Sequence, residues 1–278
     1  MPFIYQSVSQ RLVGAWCPSL GATGYSLLDR SGYGRHGTLT NMAGQLNWVA
    51  SGSGVALNMD ATNDQVVLPT APMIVSGQPF SVSWWENQTS ANIYSGRVRF
   101  AYSSSASWTA LRVVGDANYA NLCCGPQNGG NSVKFAASST TVGVWKHFCI
   151  VASAGPQSNS SSDYAAFENG VSVSASNGGT FASNSSQVNF IGSSGLNHQP
   201  AAMLDDVRVY SRALSLSEVR LLASARGIGL MPLRSTAVIS RKAWINVGGT
   251  WKNADSYVNV GGTWKLAVPS INVGGTWK

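Results

Sequence analysis

The chain has 278 residues, of which 44% are hydrophobic and only 10% are charged, and it contains 30 glycines and ten tryptophans. This length suits one large all-β domain with an appendage, or two ordinary domains, and the hydrophobic and tryptophan content argues against a disordered chain. No run of about 18 uncharged apolar residues occurs, so we expect no membrane-spanning segment.

The formal net charge of +7 is unevenly distributed, because residues 226–278 carry +6 and residues 1–225 carry +1. A basic tail suggests an acidic partner, which could be a protein surface, a nucleic acid or a membrane. The alternative is a solvated tail that keeps the protein soluble. The N-terminus lacks the pattern of a secretory leader, so we expect synthesis in a reducing cytoplasm.

The four cysteines do not have the spacing of a zinc site. In a reducing cytoplasm they are expected to be buried thiols. These residues are Cys17, Cys123, Cys124 and Cys149. A disulfide between Cys17 and Cys149 stays open.

Taken in chain order, the first predicted strand is Leu12 to Trp16, and a glycine-rich connection follows it. In "PFSVSWWENQ", Phe80, Val82 and Trp84 alternate with residues 81, 83 and 85 (Ser, Ser and Trp). This alternation predicts a strand whose first three named side chains point into the core. Further on, Asn169-Gly170 predicts a two-residue β-hairpin.

One helix is predicted near the end of this region. Ser215 and Glu218 have the spacing of a capping box, Leu214 and Val219 can form a hydrophobic staple, and Gly227 is the expected stop. With about a dozen short strands, one late helix and no alternating β-α units, the pattern predicts an antiparallel β-sandwich over residues 1–230.

Residues 231–278 form a separate predicted unit with three copies of one motif, at Ile245–Lys252, Val258–Lys265 and Ile271–Lys278, with a period of 13 residues. Each Gly-Gly pair predicts a hairpin turn, and a lone hairpin is marginal in water. Apolar residues of the repeats are therefore expected to form an attachment or assembly interface. Its predicted members are Ile245, Val247, Trp251, Val258, Val260, Trp264, Ile271, Val273 and Trp277. Alternation makes Ile245, Val247 and Trp251 candidate apolar partners.

Several stretches in order between residues 10 and 226 resemble the LamG-like jelly roll of the concanavalin A-like lectin/glucanase superfamily. They are "LVGAWCPSLGATGYSLLDRSGYGRHGTLTNM", "ALNMDATNDQVVLP", "FSVSWWEN", "VWKHFCIV…AAFENGVSV" and "LDDVRVYSRALSLSEVRLLA". The resemblance implies an all-β, antiparallel jelly-roll sandwich. The "VNVGGTWK" repeats resemble C-terminal hairpins of bacteriophage and prophage structural proteins.

The resemblance also implies a calcium site, whose candidate ligands are Asp29, Asp60, Asp64 and Asp206. The alternative is that these carboxylates hydrogen-bond the backbone of turns, and for Asp29 this alternative is preferred. Calcium needs six to eight oxygen ligands, so a site requires several of the four to converge.

For sugar binding, the candidates are Trp85, Tyr94 and Trp108 on the concave sheet, where an aromatic face can stack on a pyranose ring. The alternative for each is a place in the core. A glycosidase needs two carboxylates flanking the scissile bond. No such cluster is present in the sequence, and no serine-hydrolase motif is either, so we expect no enzymatic activity.

The combined expectation is a bacteriophage virion protein, either a capsid decoration or a fibre. The jelly-roll head would be displayed for adhesion to host surface glycans, and the repeats would bind other virion proteins in a homo-oligomer, with a trimer preferred. The alternatives are a carbohydrate-binding or adhesion module of a bacterial surface protein and, less favoured, a glycan hydrolase. No membrane partner and no nucleic-acid partner is expected.

Overall fold

The computed structural model divides the chain into two compact units, Met1–Met231 and Pro232–Lys278. The structure describes residues 8–42, 47–75, 77–90, 96–101, 110–115, 122–126, 131–135, 142–153, 161–180, 189–192, 200–230, 243–247, 250–254, 257–260, 262–266, 272–273 and 276–277.

The described part of the first unit consists of seventeen strands, two short 3-10 turns (Pro18–Leu20 and Ser161–Asp163) and one helix, α1 (Leu216–Leu222). The strands are β1 (Leu12–Trp16), β2 (Ser26–Leu27), β3 (Gly37–Thr40), β4 (Trp48–Ala50), β5 (Val55–Asp60), β6 (Gln65–Leu68), β7 (Phe80–Gln88), β8 (Gly96–Ala101), β9 (Ala110–Gly115), β10 (Leu122–Pro126), β11 (Asn131–Phe135), β12 (Trp145–Ala152), β13 (Tyr164–Glu168), β14 (Val171–Val173), β15 (Ala175–Thr180), β16 (Asn189–Ile191) and β17 (Ala201–Tyr210). The single described helix is too short to cross a bilayer.

These strands form two antiparallel sheets. The first sheet has the order β14-β13-β12-β7-β17-β5-β4, with β1 paired to β17, and the second has the order β15-β11-β10-β9-β8-β16-β6-β3-β2. The all-β sandwich with one late helix, predicted from the sequence, is confirmed.

The main core lies between the two sheets. The first sheet contributes Trp16, Val82 and Trp84, and the second contributes Val66 and Phe100, all of them fully buried. Trp16 stacks on Phe100 with ring centroids 6.2 Å apart. The predicted alternation of β7 is confirmed, because Phe80, Val82 and Trp84 all belong to this core. Removing one such aromatic side chain costs about 3–5 kcal/mol.

A second, smaller core covers the outer face of the first sheet. There Cys149 and Tyr210 of the sheet meet Val219 and Leu222 of α1. The predicted capping box of α1 is confirmed, since the Ser215 side chain accepts from the Glu218 amide and the Glu218 side chain accepts from the Ser215 amide.

The expected end of the helix at Gly227 is wrong. Helix α1 ends at Leu222 with Ala223 as its C-cap, and Gly227 lies four residues later, in a turn, with φ +72°. The predicted Asn169-Gly170 hairpin between β13 and β14 is confirmed, and both residues have positive φ, as a type I′ turn requires.

The second unit contains three hairpins: β18 (Ala243–Val247) with β19 (Thr250–Ala254), β20 (Tyr257–Val260) with β21 (Thr263–Leu266), and β22 (Asn272–Val273) with β23 (Thr276–Trp277). Each hairpin is a separate two-stranded sheet. The predicted hairpin repeat is therefore confirmed.

The register of the repeats differs from the expected apolar grouping. Trp251 lies opposite Asn246, while Ile245 lies opposite Lys252 and Val247 lies opposite Thr250. Because successive strand positions alternate between faces, Trp251 and Asn246 share one face of the ladder, and Ile245 and Val247 share the other. The predicted grouping of Trp251 with Ile245 and Val247 is therefore wrong, because the pairing of Val247 with Thr250 sets the register of the hairpin.

Candidate functional site

The outer face of the second sheet is the candidate ligand face. Inward positions of this sheet, such as Leu39, Val66, Ile191 and Val98, lie in the core, so the alternate positions face outward. One outward row crosses the sheet through directly paired residues, and these are Thr38, Val67, Phe190, Arg99, Arg112 and Gly125.

Arg99 is the described charged side chain of this row, and it lies opposite Arg112 in the pairing of β8 with β9. The Arg99 guanidinium lies 5.9 Å from the centroid of the Phe190 ring, and burial lowers the pKa of Arg99 to about 10. Because Arg99 is fully buried, a ligand has no direct contact with its guanidinium.

This row was missed in the sequence. Arg97 and Arg99 of "GRVRFA" alternate along β8, but they do not share a face, because Arg97 pairs with Glu86 between the sheets and the register shifts between Gly96 and Val98. Exposure falls along the row, from exposed Thr38 through half-buried Val67 to fully buried Arg99.

Of the three predicted sugar-binding aromatics, only Trp85 lies within the described residues, and Tyr94 and Trp108 lie outside them. Trp85 is half-buried on the outer face of the first sheet, not on the second sheet. Its indole N–H donates to the Leu222 carbonyl of α1 at 3.3 Å, and its ring contacts His147 with centroids 5.4 Å apart. The N–H is thus engaged by the helix end, and a role for Trp85 in glycan binding stays a prediction.

His147 forms a buried pair with Ser83 beneath Trp85. The Ser83 hydroxyl and His147 Nε2 are 2.8 Å apart, and burial, helped by the charge of Arg208, lowers the pKa of His147 to about 3. Both residues are at most 1% exposed, so substrate has no direct route to this pair.

Asp29, one of the four calcium candidates, organises a turn. Its Oδ1 accepts from the amides of Ala15 and Ser31 at 2.9 and 2.8 Å, and its Oδ2 accepts from the Ser31 hydroxyl and the Arg35 amide at 2.8 and 2.9 Å. With four hydrogen bonds, this carboxylate does not fit a metal-ligand role.

Asp60 and Asp64 share the turn that joins β5 to β6. Asp64 is buried and accepts from the Asn47 side chain at 2.9 Å and from the Asp60 amide at 3.1 Å. Burial, followed by the nearby Asp60 charge, raises the pKa of Asp64. These are two carboxylates of one turn, which is fewer oxygen ligands than calcium requires.

Asp206 belongs to a buried cluster on β17. It accepts from Arg208 Nε and Nη2 at 2.7 and 2.9 Å and from the Gly227 amide at 2.8 Å. Burial disfavours the charge on Arg208, but the Asp206 carboxylate outweighs this effect and raises the pKa of Arg208. Asp206 is therefore the counter-ion of Arg208.

Asp205 has different partners in the same cluster. Its Oδ1 accepts from the Ser19 amide at 3.1 Å, and its Oδ2 lies 3.5 Å from Nη1 of Arg226. Burial, followed by the charge of Asp206, raises the pKa of Asp205 to about 6. Arg226 also donates to Ser51 and stacks over Trp145 at 4.0 Å.

We call these four residues, Asp205, Asp206, Arg208 and Arg226, the β17 clasp. A bulge of β17 between Asp205 and Arg208, with φ +49° at Asp206, places both carboxylates against the turn at residues 226–228. Arg208 also donates to the Ile228 carbonyl at 2.6 Å. The clasp thus fastens the last described segment of the first unit.

The four calcium candidates do not converge. No group of three or more His, Cys, Asp or Glu side chains suited to a metal ion occurs within the described residues. Cys17 and Cys149 are free and buried, so the pairing that the sequence left open is not formed in this structure.

The remaining buried acid, Glu86, lies between the sheets in an ion pair. Its carboxylate accepts from Arg97 Nε at 2.8 Å and Nη2 at 3.2 Å, from the Trp84 indole at 2.9 Å and from Gln88 at 3.3 Å. A carboxylate bound in this way is neither a free general acid nor a nucleophile.

In the second unit, the predicted interface positions fall on both faces of the ladders. The pairs Asn246–Trp251, Asn259–Trp264 and Asn272–Trp277 occur at the same place in each hairpin. In the second hairpin, Val258 and Val260 are equivalent in register to Ile245 and Val247 of the first. In the third hairpin, Val273 is equivalent to Val247. Ile271 lies outside the described residues.

Comparison with known families adds a match over the first unit. The family model described as the concanavalin A-like lectin/glucanases superfamily matches residues 60–220, which confirms that part of the resemblance. We found no match among curated proteins.

Several solved structures share the fold. The binding domain of botulinum neurotoxin serotype D is similar with a TM-score of 0.53 and 13% identity, over 77% of this chain and 52% of that one. The binding domain of Paraclostridial Mosquitocidal Protein 1 gives 0.52 and 16%, over 78% and 52%. A Trypanosoma rangeli sialidase bound to the inhibitor DANA gives 0.50 and 14%, over 76% and 32%.

The chain therefore spans about a third of the sialidase and about half of each toxin domain. At these identities the likeness shows the fold alone.

Proposed function

Because the chain belongs to the concanavalin A-like lectin/glucanases superfamily, we propose that it is a non-enzymatic virion protein of a bacteriophage. In this proposal it is a capsid decoration or fibre whose jelly-roll unit is displayed for adhesion to host glycans. The C-terminal repeats anchor it to other virion proteins and to its own copies, most simply as a trimer.

The observation that carries this proposal is the register of the three hairpins. Among the described strands of the tail, each hairpin pairs only with itself, and by register each ladder has Val on one face and Trp on the other. A two-stranded ribbon cannot bury two apolar faces by itself. Cover from further chains would supply the missing contacts, as in other associations through strand edges.

The charge of the tail supports a partner of opposite sign. Residues 226–278 carry +6, and a basic segment is attracted to an acidic protein surface and associates with it faster. An acidic surface on another virion protein is the partner that this charge suits.

For the jelly-roll unit, the names of two structural neighbours support an adhesive role. The toxin neighbours are themselves named as binding domains, which agrees with an adhesive role for this fold.

A non-enzymatic role is supported by the partners of the buried acids. Glu86 is paired with Arg97, Asp206 with Arg208, and Asp29 with four turn donors. A glycosidase would instead need two carboxyl groups about 5–9.5 Å apart across an open cleft.

The second candidate is an adhesion module of a bacterial surface protein, which the toxin binding domains favour. The two candidates differ in the tail, because a surface module does not need the repeats for assembly.

The test is the mass of the full chain in solution by light scattering. The comparison is with a variant carrying Trp251→Ser, Trp264→Ser and Trp277→Ser. We expect an oligomer for the parent chain and a monomer for the variant, with the same near-UV circular dichroism of the jelly roll. If both chains are monomers and the parent does not bind purified virion proteins, the anchoring role is refuted and the adhesion-module candidate is preferred.

A further inference from the structure

The connection between β2 and β3 presents charged and aromatic groups on a fixed backbone. We call residues 30–36 the Tyr33 loop. Asp29 holds it from inside through four hydrogen bonds, two of them to the backbone amides of Ser31 and Arg35. The Arg30 amide donates to the Ala15 carbonyl at 2.6 Å, and the Trp16 indole donates to the Arg35 carbonyl at 2.8 Å.

Two glycines complete this backbone. Gly32 and Gly34 have φ of +93° and +68°, and a Cβ at either position would meet no atom within 4 Å. The glycines are therefore required by the backbone conformation and not by packing. The result is a preordered loop, so binding would cost little conformational entropy.

Tyr33 is the most prominent side chain of this loop, with 60% of its surface exposed. The Arg35 guanidinium lies 4.7 Å from the ring centroid, which covers one face and leaves the other at the surface. The Arg35 side chain also donates to the Val13 carbonyl, so both the guanidinium and the ring are held in place.

Two further exposed donors lie at the ends of the loop. His36 accepts from the Asp29 amide at Nδ1, 3.0 Å away, so in the neutral ring the proton is on Nε2, and this side chain is exposed. Arg30 is exposed as well.

The sequence around the loop contains little negative charge. Asp29 is the only acidic residue among the first 59, and its carboxylate is enclosed by the loop, with 7% exposure. The outward groups are thus the Arg30 guanidinium, the His36 imidazole N–H and the free face of the Tyr33 ring.

We propose that the Tyr33 loop binds a carboxylate-bearing pyranose, such as a uronic or sialic acid unit of a host glycan. The free face of Tyr33 would stack on the C–H face of the sugar ring. A guanidinium would bind the carboxylate, a pairing that favours arginine over lysine. This inference rests on the proposed adhesion function, and it places a ligand at the β2–β3 connection, apart from the Arg99 row.

The test uses the full chain and two matched pairs of probes, hexagalacturonate with its methyl ester, and 3′-sialyllactose with lactose. Affinity is measured by titration calorimetry at low and at physiological salt, alongside an array of neutral glycans. We expect at least one acidic probe to bind, and its neutral partner to bind about tenfold more weakly, as loss of one charge-assisted contact predicts.

Variants locate the site. Tyr33→Ser and Arg30→Gln are each expected to weaken binding by about tenfold. Tyr25→Ser is the matched control, because Tyr25 is 71% exposed and lies outside the loop, and it should bind like the parent chain.

The outcomes separate the two proposals. If an acidic probe binds equally to the Tyr33→Ser and Tyr25→Ser variants, the loop is refuted and the adhesion function stands. The same holds if the chain binds only neutral glycans. If neither the array nor any probe binds, the adhesion function fails and the loop assignment fails with it.

Discussion

Replacing Asp206 with asparagine tests the β17 clasp and separates it from the calcium interpretation. Asparagine tolerates the left-handed conformation found at this position, φ +49°, so Asp206→Asn changes charge with little added backbone strain. The change leaves Arg208, which is 0% exposed, without the carboxylate that binds it at 2.7 and 2.9 Å.

Breaking one side of a buried ion pair costs about 3–5 kcal/mol. We expect the free energy of unfolding to fall by that amount, and the melting temperature of a domain of this size to fall by roughly 10 °C. The assay is chemical and thermal unfolding of the full chain, followed by near-UV circular dichroism. Asp60→Asn is the control, because Asp60 is exposed and should lose only about 0.5 kcal/mol.

Both chains are then measured with EDTA and with added calcium. A counter-ion role predicts that the loss at Asp206 is the same in both conditions. A loss that appears only with calcium would identify Asp206 as a metal ligand and refute the reasoning. A loss below about 1 kcal/mol would mean that the clasp contributes little to stability.

Three further predictions concern stability. Burial raises the pKa of Asp205 to about 6 from 3.8, so the folded state favours the protonated form of this carboxyl group. As the pH rises from about 4 to 6, the free energy of unfolding should therefore fall by up to about 3 kcal/mol. Urea midpoints measured across this pH range should show the fall in the parent chain and not in Asp205→Asn. Ser215→Ala removes the N-cap of α1 and should cost about 1 kcal/mol in the same urea assay, whereas Ser217→Ala should not. Gly227→Ala places a side chain on a residue with φ +72°, with its Cβ 3.2 Å from Cys17 Sγ. This change should lower the melting temperature by several degrees, which corresponds to a loss of about 1–2 kcal/mol in the free energy of unfolding. An unchanged melting temperature would show that this turn adapts to the side chain.

Local features of the fold were predictable because their signals lie within a few residues. The alternation of Phe80, Val82 and Trp84 identified the inward face of β7. The Ser215–Glu218 spacing identified the start of α1, and Asn169-Gly170 identified a hairpin. In each case neighbouring residues supply the interaction, so the sequence contains the whole signal.

The candidate site was less predictable because its partners are distant in sequence. The end of α1 was wrong because Gly227 serves the β17 clasp, where its amide binds Asp206, 21 residues away in the sequence. Adjacent Asp205 and Asp206 gave no sign of their arginine partners, since a bulge in β17 sets the direction of both. For Trp85 the sequence left glycan binding and packing as alternatives, because an aromatic residue in an alternating strand does not reveal which layer covers it, here the end of α1.

The separate closure of each tail hairpin has an evolutionary consequence. Since every ladder is formed within one 13-residue copy, unequal recombination between copies would add or delete one whole hairpin. The remaining hairpins would keep their own strand pairing. The number of repeats can therefore change without disturbing the strand pairing of the hairpins that remain. Selection on attachment strength can then act on the number of copies before it acts on any individual side chain.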